Sequence, residues 1–250
     1  AGFNPNYHSV SQIVDLLVPH QSNFDGVPQS TKLYFYGSGC GDEIRQRRVT
    51  KALQHYFPDT SIQVQSDLMA AAYATCNRAP GLVVILGTGS NTLLFDGKDI
   101  VDQVANLGFI CGDEGSGNHI GKLLVQSYFY RKMPADLAAS FSNYFQDGRA
   151  SLLNHLYQND QPVAPYLASF VLFAHSHLSD PFIQDLVHNS FTTLIQSQLK
   201  SYDVSSFENM PVHAVGSVAF FFNDIWHTVL VENNFIPGCI VRHPIGALTA

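Results

Sequence analysis

The run Leu82-Val83-Val84-Ile85-Leu86-Gly87-Thr88-Gly89-Ser90-Asn91 passes from an unbroken apolar stretch into a turn of glycine and hydroxyl residues. Five consecutive aliphatic residues suit a strand buried on both faces, the kind found in α/β sheets. The turn that follows leads to a second strand over 91–95. A tight turn there places backbone N–H groups and two hydroxyls around one point, as anion-binding nests do. Asp96-Gly97 then predicts a hairpin turn into a short strand over 100–104.

Nine of the eighteen glycines lie between Gly81 and Gly121. Their second half, Gly108-Phe109-Ile110-Cys111-Gly112-Asp113-Glu114-Gly115-Ser116-Gly117, ends where a helix should begin, and free N–H groups at a helix start favour negative charge. Both halves can therefore hold phosphate. Taken alone, the residues read more simply as two tight turns, with Asp113 and Glu114 as acids at a helix N-terminus. A Walker loop is excluded by spacing, since five residues separate Gly115 from Gly121-Lys122 and Leu123 follows. A dinucleotide fingerprint at Gly37 and Gly39 fails as well, because Asp42 stands where the third glycine belongs.

Upstream, a strand over 31–36 is followed by a turn at Gly37–Gly41 and a helix from about Asp42 to Tyr56. A strand near 61–65 then leads into Asp67, which opens an alanine-rich helix through Ala74. Pro80 and Gly81 make the 77–81 stretch a natural boundary, so domains of 1–79 and 80–250 are expected. Downstream of Glu114 the apolar residues recur at helix spacing over 120–129, 163–173 and 182–199. A last strand over 212–215 ends at Gly216-Ser217, and a helix runs to about Leu230. Strands alternating with helices predict an α/β fold.

Composition narrows the function. The chain has 250 residues, 46% of them hydrophobic, and a formal net charge of -7, so it should fold and should repel polyphosphate backbones. No nucleic-acid partner is expected. The basic run Arg45, Arg47, Arg48 and Lys51 reads as a solvated helix face. The four cysteines are far apart and His175-x-His177 is poorly spaced for a metal, which points to a reducing, cytoplasmic setting. No apolar run is long enough to cross a bilayer, and no signal peptide is evident, so no membrane partner is expected either.

Gly87-Thr88-Gly89-Ser90-Asn91, followed by L-G-F-I-C-G-D-E-G-S-G-N-H-I-G-K (107–122), resembles the N-acetylglucosamine kinase and BadF/BadG-type ATPase family. The similarity extends to A-G-F-N-P-N (1–6), Y-G-S-G-C (36–40), S-D-L-M-A-A-A (66–72) and V-G-S-V-A (215–219). It implies two ribonuclease-H-like domains of the actin-like ATPase fold around a cleft, the second with a helical insertion. ATP and Mg2+ are the implied cofactors and a small-molecule sugar the implied substrate. A homodimer is allowed, since dimers are common among homologous folds.

Motif by motif, the resemblance makes Gly87, Thr88, Gly89 and Ser90 the second phosphate loop and Gly216-Ser217 the adenosine motif. It makes Asn91, Gly108 and Asp113 sugar-binding residues, with Ser90 also near the sugar hydroxyls. Asn6 joins them, with Asn4 as the alternative, and either asparagine could instead shape a turn. Asp67 matches the catalytic aspartate that accepts the proton of the acceptor hydroxyl, although by itself it reads as a helix N-cap. The role of Glu114 stays open.

Two departures from the pattern stand out. The family's first hairpin, with D-G-G-x-T-K-like residues for phosphate and magnesium, belongs before the start of this numbering; Asp25–Lys32 only mimics it. A magnesium ligand is accordingly unassigned, with Asp67 one candidate. Asn106-Leu107-Gly108 also replaces a Gly-Trp-Gly, which removes an aromatic wall beside the sugar. The implied reaction is phosphorylation of N-acetylglucosamine at its 6-hydroxyl. The rivals are an ATPase activator of a partner reductase or dehydratase and a non-catalytic sugar sensor.

Overall fold

The computed structural model describes residues 3–24, 32–146, 148–158, 162–205, 207 and 209–248. Ala1, Gly2 and Asp25–Thr31 of the motifs above lie outside them. The chain divides into two compact units, Ala1–Ala70 and Ala71–Ala250.

In the first unit, α1 (Val10–Leu17) is closed at its start by a capping box in which Ser9 and Gln12 satisfy each other's backbone N–H groups. Strand β1 (Leu33–Gly37) is followed by α2 (Glu43–Gln54), whose N-cap is Asp42, then by β2 (Ile62–Ser66) and α3 (Asp67–Cys76), which crosses the division between the units. Strands β1 and β2 pair in parallel, with Gly37 opposite Ser66. Ile13, Cys40, Val49, Ala52, Leu53 and Val64 form the core of this unit. Among the arginines of α2, Arg45 and Arg47 pair with Asp42 and Glu43 on an exposed face, as a solvated helix should. Arg48 instead donates to the carbonyls of Pro5 and His8, tying down the N-terminal turn.

The second unit begins with β3 (Gly81–Leu86), β4 (Ser90–Phe95) and β5 (Ile100–Asp102), an antiparallel meander. The helices α4 (Gly108–Cys111), α5 (Gly117–Phe129), α6 (Ala135–Phe145), α7 (Arg149–Tyr157), α8 (Val163–Ser169), α9 (Val171–Ser176) and α10 (Pro181–Ser197) follow. The chain then returns through β6 (Pro211–Val215), α11 (Ser217–Phe221), α12 (Asn223–Glu232), β7 (Ile236–Val241) and α13 (Pro244–Leu248). The sheet order is β5-β4-β3-β6-β7, with β6 parallel to β3 and β7 parallel to β6. Its core holds β3 and β6 residues with a block of aromatic rings, among them Phe141, Phe145, Phe170, Phe173, Phe191 and Trp226. Among the described residues, no helix is long and apolar enough to cross a membrane.

Three expectations change. The strand over 212–215 is not the last, because β7 adds an edge beyond it. The helical pattern over 163–173 is two helices, broken at Phe170. The helix after Gly216-Ser217 also breaks, at Phe222.

Helices α5 and α8 meet at Gly121, where a Cβ would lie 1.9 Å from the Leu167 carbonyl oxygen. Gly121→Ala is therefore expected to destabilise the protein by about 1–3 kcal/mol through overpacking, although alanine gains about 1 kcal/mol in helix propensity. Urea denaturation at equilibrium checks this.

Candidate functional site

In parallel sheets, ligands gather beyond the C-terminal ends of the strands. In the first unit β1 and β2 end side by side at Gly37 and Ser66, so the 37–41 turn and Asp67 share that edge. Asp67 is half-buried, and burial pushes its carboxyl above the usual carboxylate range. The helix start does not use it up. Ser66 Oγ accepts the Met69 N–H at 3.3 Å, and Asp67 accepts the N–H of Leu68 at 3.0 Å. Capping thus falls largely to Ser66, and among the described residues no side chain donates to the Asp67 carboxylate. The charge of Asp67 also helps push the Cys40 thiol up to about 11, after burial itself.

The N-terminal turn rests on Gly39. With φ at +80°, that residue leaves room that a Cβ would take from the Asn4 and Asn6 side chains. Asn4 Oδ1 accepts the Asn6 N–H at 2.9 Å, so Asn4 builds the turn. Asn6 is exposed, and its amide makes no hydrogen bond with a described residue.

In the second unit the two glycine segments form one object. The tip of the β3–β4 hairpin is Gly87-Thr88-Gly89, closed by Gly87 N–H donating to Gly89 O at 3.0 Å. The N–H groups of Gly117 and Asn118, in the first turn of α5, donate to Gly87 O at 2.8 Å and Thr88 O at 3.0 Å. Ser116 caps the same helix by accepting from His119 N. The start of α5 is thus filled by the loop's carbonyls and a serine, and the expectation of a phosphate site there is corrected. Among the described residues, the N–H groups of Thr88 and Gly89 remain without acceptors at the hairpin tip.

Asp113 is the clamp of this arrangement. It is 6% exposed and has φ at +62°, a left-handed conformation that aspartate tolerates better than most residues. Its Oδ1 accepts Ser90 N at 3.2 Å and Asn106 Nδ2 at 3.1 Å; its Oδ2 accepts Asn118 Nδ2 at 2.8 Å. Three of about four acceptor sites on a carboxylate are used, which leaves one on Oδ2. Asn106 also donates to Ser90 O, and Asn118 to Thr88 O at 2.7 Å. Asn91 Oδ1 is occupied by Thr92 N and Gln103 Nε2. Gly108, with φ at +68°, opens α4 and faces free space. Ser90 Oγ and Asn118 Oδ1 are buried without partners among the described residues.

Glu114 does not cap the helix. It accepts Gln198 Nε2 at 2.9 Å in a chain that continues through Thr92 and Tyr202 to the Val104 N–H, which locks β4 to α10.

Gly216 follows β6 at the same sheet edge as the loop, because Ile85 is paired with Val215. Its φ is +125°, and a Cβ there would lie 2.2 Å from Leu86 O. Gly87, Thr88, Gly117, His175, Ser217 and Phe221 line one cavity of about 130 Å³. The His175 ring packs on Phe221 at 4.7 Å, and the Arg242 guanidinium lies 4.9 Å from the same ring. Gly216→Ala is expected to cost at least about 1–3 kcal/mol in backbone strain alone and to widen the cavity. A lower thermal midpoint checks the strain.

The structure thus gathers Gly87, Thr88, Gly89, Ser90, Asn91, Asp113, Gly216 and Ser217 in the second unit, and Asn6 and Asp67 in the first. Asn118, His175 and Phe221 were not singled out from the sequence for this site, and Asn106 was read as part of a sugar-facing segment that departs from the family motif, not as a partner of Asp113.

No protein-family profile matches the chain. Among solved structures, the "putative N-acetylglucosamine kinase" of Porphyromonas gingivalis matches with a TM-score of 0.89 and 30% identity, over 99% of this chain and 87% of that one. A protein of the same designation from Chromobacterium violaceum matches with a TM-score of 0.61 and 17% identity, over 96% of this chain and 86% of that one, which shows a shared mixed α/β fold. The chain belongs to the N-acetylglucosamine kinase and BadF/BadG-type ATPase family.

Proposed function

We propose that the protein is a sugar kinase that transfers the γ-phosphoryl group of ATP to the 6-hydroxyl of N-acetylglucosamine. The observation that carries this reading is the single cavity walled by the Gly87-Thr88 loop and by Ser217 at the C-terminal edge of β3 and β6. Adenosine would take the His175 and Phe221 side of that cavity. The free N–H groups of Thr88 and Gly89, with the Ser90 region, would take phosphate.

Phosphoryl transfer asks for positioning and charge stabilisation more than for covalent chemistry. Fixed N–H donors answer that need without reorganising. Asp67 would accept the proton of the attacking hydroxyl, and its raised carboxyl range suits a base better than that of an ordinary aspartate. Asn6, Asn91, Gly108 and the remaining acceptor site of Asp113 would orient the sugar. ATP would enter as its magnesium complex. Magnesium takes mostly phosphate and water oxygens with one or two carboxylates, and Asp67 would be a candidate for one of these.

In this reading the chain holds two ribonuclease-H-like domains of an actin-like fold, with limits at 1–79 and 80–250 rather than at the division after Ala70. Those limits keep α3 whole and fall at the turn where Asn77 and Arg78 have φ of 44° and 65°. Steady-state ADP release by the full-length protein over a panel of hexoses tests the substrate class. N-acetylglucosamine is expected to give the highest kcat/KM. Equal, unstimulated ADP release with every sugar would overturn the sugar-kinase reading.

A further inference from the structure

The helical part of the second unit holds a cavity of about 610 Å³ that shares no residue with the one beside Gly87. It lies among α4, α5, α7 and α8, with Val125, Phe129, Leu152, Leu156 and Leu167 among its walls. Ile110, Tyr130 and Tyr157 also line it and are 76%, 67% and 79% exposed. Large apolar residues left open around a concave surface mark a binding site, and the volume falls within the range of small-molecule pockets.

The charge of this cavity is one-sided. Lys122 and Arg149 line it, and among the described residues no lining side chain is acidic. Neither cation forms an ion pair with a described residue. Lys122 Nζ donates to the Phe109 carbonyl at 3.1 Å, which holds it beside α4. An apolar chamber with two cations and, among the described residues, no counter-charge complements a ligand with an apolar body and one anionic group, since guanidinium and ammonium groups pair well with carboxylate.

We infer that this cavity binds an amphipathic carboxylate, with its chain against the α5, α7 and α8 side chains and its carboxylate on Lys122 and Arg149. The inference does not rest on the kinase reading. Calorimetric titration of the full-length protein with decanoate tests it. Saturable one-site binding is expected, at least tenfold tighter than for decanol and at least tenfold weaker in both Lys122→Gln and Arg149→Gln. Arg149 is exposed, so its variant should fold, and the decanol comparison needs no variant. Four results would overturn the inference: no saturable heat, equal binding of decanol and decanoate, unchanged affinity in both charge variants, or a dimer seen by light scattering that excludes decanoate.

Discussion

Asp67→Asn should lower kcat by about a hundred- to ten-thousand-fold, the range for loss of a general base, while ATP binding to the second unit stays intact. The same substitution should make the protein more stable at neutral pH. Burial raises the Asp67 carboxyl above its unfolded range. A group shifted upward contributes stability that is fully present below the unfolded pKa and is lost as pH rises through the folded pKa. At pH 7 the ionised, half-buried carboxylate is therefore a net cost, which asparagine removes. The thermal midpoint of Asp67→Asn should exceed that of the parent at pH 7, and the gap should close towards low pH. In the parent, kcat/KM should fall on the acid side through a pKa above that of an ordinary aspartate, and the residual rate of the variant should lack that limb. Unchanged turnover would remove Asp67 from the chemistry, whatever happened to stability.

Asp113→Asn should damage the Gly87–Ser90 loop of the second unit. Asparagine tolerates the left-handed backbone at this position, so the substitution isolates the hydrogen bonds. Every neighbour of Asp113 named above is a donor, and the new amide would direct its own donors at one of them. Asn118 could turn its side chain to accept, but only by giving up its 2.7 Å bond to Thr88 O. One buried group left unpaired costs roughly 1–3 kcal/mol. That corresponds to roughly a fivefold to 150-fold loss in kcat/KM if the loop is needed only in its native shape. Urea denaturation and ATP titration of the variant should show both effects together. A change in sugar KM alone would instead make Asp113 a substrate ligand with no structural duty.

The sequence made much of this site legible because glycine and apolar patterning are local signals. The strand over 82–86, the turn after it and the hairpin at Asp96-Gly97 all follow from residues adjacent in the chain. Asp67 at a strand-to-helix junction was legible for the same reason. Strand β7 was not, because Pro237 and Gly238 inside it read as breakers; both are tolerated on an edge strand whose register with β6 shifts. The roles of Asn106 and Asn118 were hidden too. They meet Asp113 and the loop carbonyls only after α5 docks on the β3–β4 hairpin, and nothing in their local sequence encodes that meeting. The filled N-terminus of α5 shows the limit of a motif read without its partners: a glycine-rich helix start suggested an anion site, and the hairpin's carbonyls took its donors.

Transfer of a phosphoryl group from ATP to a sugar hydroxyl is followed in a 31P NMR time course with ATP, Mg2+ and N-acetylglucosamine. Full-length protein is expected to form ADP and one sugar 6-phosphate in equal amounts. ADP accompanied by inorganic phosphate, with no sugar phosphate, would contradict it.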